Sequence, residues 1–73
     1  MTDLQNKVMV FIVTWVKTKK TPVPKQEIFY AMVQEGIKEY TTESVLDCLL
    51  RKRYIRRAHS RTTKVSYVQL RSI

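Results

Sequence analysis

Thr21-Pro22-Val23-Pro24 splits this chain into parts that must fold as separate elements. Each proline fixes its own φ and drives the residue before it out of the α region. The four residues are therefore extended, and a short edge strand near residues 21–23 suits them, because proline cannot donate within a sheet.

Upstream, Thr2 suits an N-cap, with Gln5 as the reciprocal partner of a capping box. Leu4, Val8, Phe11, Ile12 and Trp15 recur at helical spacing, which predicts a helix over about residues 3–18. The β-branched run Val8–Val13 also fits a buried strand, but Leu4 and Trp15 carry the helical period past strand length. Met9, Val10, Val13 and Val16 give the same helix a second apolar side. One small core has no room for both sides, so these four residues are the expected interface of a homodimer. Lys17, Lys19 and Lys20 set cations at the negative end of the helix, and a solvated helix end accounts for them.

Downstream, Pro24 suits the first position of a second helix, about 24–35, whose face is Ile28, Phe29 and Met32 with Ala31 on its flank. Gly36, the single glycine, stands where a C′ residue belongs. Ile37–Tyr40 then reads as a turn. Thr41 or Thr42 caps a third helix, about 42–52, with Glu43 near its positive end. Val45, Leu46, Leu49 and Leu50 form its apolar stripe; Ser44, Asp47, Cys48 and Arg51 lie opposite. Tyr54–Ala58 and Val65–Leu70 read as strands joined by a polar loop, a hairpin over about 54–71. The expected fold is α+β: one domain over residues 1–73, three helices followed by a two-stranded hairpin.

Charge is segregated along the chain. Residues 1–47 hold six acids and six bases, whereas residues 48–73 hold eight bases and no acid, so the net charge of +8 comes from the C-terminal third. Such a block is the footprint of a surface that meets a polyanion. A solvated basic face is the plainer alternative, and the complete lack of acids argues against it.

Other function classes find little support. Cys48 is the single cysteine, so no internal disulfide forms, which suits a reducing, cytoplasmic compartment. His59 and Cys48 are the sole residues of their types, and no Gly-rich phosphate loop or metal-ligand spacing is present. No enzyme, cofactor or metal is therefore expected. The apolar run in the first helix falls short of the roughly 20 residues that cross a bilayer, and it lacks a cleavage site for a signal peptide. Tyr30, Tyr54 and Tyr67 could stack on single-stranded bases, but aromatic residues in so small a domain serve mostly as core.

The order of elements resembles the winged helix-turn-helix family over essentially the whole chain. Pro22-Val23-Pro24-Lys25-Gln26-Glu27-Ile28 looks like the lead-in to that family's second helix. Thr42-Glu43-Ser44-Val45 through Leu49 resembles the start of its recognition helix, and Leu49-Leu50-Arg51-Lys52-Arg53-Tyr54-Ile55 resembles its exit into the first wing strand. The likeness rests on apolar positions and turn lengths rather than on an invariant motif. Arg53 stands where the family usually has glycine; a positive φ there would cost a non-glycine residue about 1 kcal/mol. Glu43 and Asp47 lie near the surface that the family presents to DNA, where carboxylates repel phosphates.

The resemblance and the basic block together imply a sequence-selective double-stranded DNA-binding protein, a small transcriptional regulator that acts by occupancy as a dimer. Its compactness is similar to that of viral, phage and plasmid regulators. Thr42, Ser44 and Arg51 are the candidates for base edges or phosphates. Lys52, Arg53, Arg56, Arg57, Arg61, Thr62 and Lys64 are the candidates for the phosphate surface, with a wing arginine able to enter the minor groove. The alternatives are a winged-helix module that binds an acidic protein partner, which Glu43 and Asp47 favour, and an RNA-binding domain.

Overall fold

Thr2 starts the first helix through the expected capping box. Gln5 N donates to Thr2 Oγ1 and Thr2 N donates to Gln5 Oε1, both at 3.1 Å. The computed structural model describes residues 2–59 and 65–71. Within them α1 is Asp3–Lys19, β1 Val23–Pro24, α2 Lys25–Gln34, α3 Glu39–Arg51, β2 Ile55–His59 and β3 Ser66–Leu70. The fold is α+β, with three helices and a three-stranded antiparallel sheet in the order β1-β3-β2.

The apolar width of α1 has an intramolecular cause. The helix packs against α2, α3, β1 and β3, so more than one stripe is covered. Val8, Ile12 and Val16 are buried, and Met9 packs against the core beside them. Of the four residues expected to form a dimer face on α1, Val16 is corrected to the core; Met9 and Val13 are half-buried and Val10 is exposed, at 62%. One exposed valine is ordinary on a soluble surface.

Lys20, at φ 58°, ends α1 in the left-handed region. The chain then enters β1, where Val23 pairs with Val68 and Pro24 with Tyr67. Pro24 belongs to this strand and caps α2 from outside, at ψ 130°, instead of forming its first helical residue. It sits on an edge strand, where its missing N–H costs little.

Two helices end on one hydrogen-bond pattern. In α2, Gly36 N donates to Val33 O and Ile37 N to Met32 O, both at 2.9 Å. In α3, Arg53 N donates to Leu50 O and Tyr54 N to Leu49 O, both at 3.1 Å. Each is a Schellman closure, which requires a left-handed residue. Gly36 supplies it at φ 79° and Arg53 at φ 63°.

The third helix begins earlier than the sequence predicts. Lys38 is its N-cap, and Glu39, Tyr40 and Thr41 are helical. Thr42 is fully buried, and its hydroxyl donates back to Lys38 O at 3.3 Å. A threonine hydroxyl satisfied by the preceding turn has no capping role. Thr42, Val45, Leu46 and Leu49 then form the buried stripe, which meets Ile28 and Met32 of α2 and Val23, Ile55 and Val68 of the sheet in one core.

Among the described residues, no helix is long and apolar enough to cross a membrane.

Candidate nucleic-acid interface

Opposite its buried stripe, α3 turns Tyr40, Ser44, Asp47 and Arg51 outward, at steps of four, three and four residues. Tyr40 is 71% exposed, Ser44 and Arg51 are exposed, and Asp47 is half-buried. Thr42, expected among the contact residues, is inside and reaches no ligand. Tyr40 shares this face and is not among the residues expected from the sequence. Starting the helix at Glu39 would have found it, because Tyr40 then stands one turn before Ser44.

Glu43 lies on the flank of this face and is paired. Lys25, the first residue of α2, places Nζ 2.7 Å from Glu43 Oε1. The side chains are 32% and 43% exposed, so the pair adds little stability. Its electrostatic effect is local: one of the two carboxylates near the outward face is matched by a cation. The other described ion pair, Lys7–Glu35 at 4.0 Å, ties α1 to the end of α2, away from this face.

Cations collect where α3 runs into the sheet. Arg51, Lys52 and Arg53 are all exposed at the helix end, and the left-handed turn at Arg53 redirects the chain into β2. Arg56 and Arg57 follow, also exposed, but strand alternation sends them to opposite sheet faces. Arg57 lies opposite Val68, on the face toward α3. With Lys25, Asp47 and His59 it lines a groove of about 180 Å³ between α3 and the hairpin. Arg56 lies opposite Gln69, on the other face. The expected site thus divides: Ser44, Arg51, Lys52, Arg53 and Arg57 border α3 or its end, and Arg56 does not. Arg61, Thr62 and Lys64 lie outside the described residues.

The remaining reactive side chains are separated. Cys48 Sγ accepts from Gln5 Nε2 at 3.1 Å, fastening α3 to α1, while His59 is exposed at the end of β2. Among the described residues, no group of three His, Cys, Asp or Glu side chains could hold a metal ion. No family model, curated protein or solved structure matches the chain.

Proposed function

We propose that this chain is a winged helix-turn-helix protein that binds double-stranded DNA and regulates transcription by occupying its site. α2 and α3 would form the helix-turn-helix, with α3 in the major groove and the β2–β3 hairpin as the wing. One observation carries the reading: the outward face of α3 runs directly into the cluster Arg51, Lys52 and Arg53, with Arg57 beside it. A polar helix face that narrows to a basic end suits groove readout combined with phosphate anchoring.

Roles divide by position. Tyr40, Ser44 and Arg51 face outward from α3 and are assigned to base edges. Asp47 lies on the same face and can accept from a cytosine N4 amino group. Lys52, Arg53 and Arg57 are assigned to phosphates. The Lys25–Glu43 pair reduces the repulsion that an unmatched carboxylate would exert on the backbone.

The test compares variants on several duplex sequences. Ser44→Ala and Arg51→Ala are expected to change the order of preference among sequences, whereas Arg57→Ala weakens all of them alike. Equal losses for all three variants on every sequence would remove the division of roles. Competition with duplex RNA completes the test, because A-form RNA closes its major groove to a helix. Tighter binding to RNA, or to an acidic protein in place of either duplex, would replace this reading.

A further inference from the structure

The sheet face that carries Arg56 has its own chemistry. Alternation along the strands puts Arg56, Ala58, Tyr67 and Gln69 on this side. The C-terminal end of α1 lies over it. Trp15, Pro22, Pro24, Ala58 and Tyr67 border an open cleft of about 430 Å³. Beside it, Lys17 and Lys20 border a second hollow around Gln69. Lys19 Nζ stands 4.5 Å from the centre of the Trp15 ring. Among the described residues, none that lines either hollow is an acid. The groove beside α3 differs, since Glu43 and Asp47 both line it.

We propose that this face is a second nucleic-acid site, one that takes an unpaired strand. Its phosphates would lie along Lys17, Lys19, Lys20 and Arg56, all exposed, and its bases would enter the cleft against Trp15 and Tyr67. The pairing of aromatic walls with a cationic rim selects this ligand. A duplex offers the rim its phosphates but keeps its base faces stacked inside, so it gains nothing from the aromatic walls. A single strand offers both, and stacking on aromatic side chains tolerates any base sequence. The three lysines, which a solvated helix end explains in the sequence alone, share a surface with Arg56 only because α1 ends over β3.

Tyr67 and His59 border both this cleft and the groove beside α3, so the test keeps the two sites apart through Trp15 and the lysines of α1, which border this side alone. Trp15 is the single tryptophan, so its emission reports on this cleft alone. Oligothymidylate titrated into the intact chain at low salt is expected to quench that emission. Tyr67→Leu keeps apolar bulk and removes the stacking ring, and is expected to weaken oligothymidylate binding about tenfold. The double variant Lys17→Ala/Lys20→Ala alters two exposed residues beside Gln69 and leaves the Lys19–Trp15 contact in place; it is expected to weaken oligothymidylate while duplex affinity holds. The proposal is overturned by no binding, by binding without a change in Trp15 emission, by equal losses for oligothymidylate and duplex, or by equal displacement with polyglutamate.

Discussion

Lys25 Nζ lies 2.7 Å from Glu43 Oε1, which joins the first residue of α2 to the outward flank of α3. The two residues are far apart in sequence, and the contact decides how α3 presents its charge. Glu43→Gln is expected to change stability by less than about 1 kcal/mol, because the pair is partly exposed. It is also expected to tighten duplex binding, since it removes an anion and releases Lys25 toward the phosphates. Lys25→Gln is expected to weaken it. Anisotropy with both variants checks the signs; equal effects in the same direction would show that the pair lies outside the surface proposed to face DNA.

Arg53 adopts φ 63° to close α3, as Gly36 does at φ 79° to close α2. Arg53→Gly therefore relieves the left-handed strain and is expected to stabilise the fold by about 1 kcal/mol, read by urea unfolding. The same change removes a cation from the proposed phosphate surface, and is expected to lower the salt slope of duplex binding by about 0.9. Greater stability with an unchanged slope would place Arg53 away from the DNA.

Thr42 is buried and bonds only to the preceding turn at 3.3 Å. Thr42→Val is expected to shift stability by no more than about 1 kcal/mol and to leave duplex preference unchanged. A changed sequence preference would return Thr42 to the contact surface.

Features set by neighbouring residues were legible in the sequence, and those set by packing were not. The capping box at Thr2 and Gln5, the left-handed Gly36 and the unusual position of Arg53 were legible, because each depends on a few neighbouring residues. The start of α3 was not. Thr41 and Thr42 look like caps locally, and only packing against α2 and the sheet draws Thr42 inside and the helix back to Glu39. The true face of α1 was hidden for the same reason: nothing in its own periodicity tells that β3 covers Val16. Of the candidate residues, Ser44 and Arg51 lie on the outward face of α3, Lys52 and Arg53 at its end, and Arg57 in the groove beside it. The separation of Arg56 from Arg57 follows from a strand register that no local pattern reveals.

Val10 is the single strongly exposed apolar residue of α1. Val10→Glu is expected to leave the sedimentation coefficient unchanged, because one valine makes no interface. A shift from dimer to monomer would restore α1 as the association surface.

The basic end of α3 and the strand that follows it are proposed to grip a phosphate backbone. Fluorescence anisotropy of a mixed-sequence duplex, titrated across salt, tests it most directly. Binding whose log K falls linearly with log salt is predicted, with a slope of several units that becomes shallower in Arg57→Ala. An absence of binding at low salt, or a slope near zero, would contradict it.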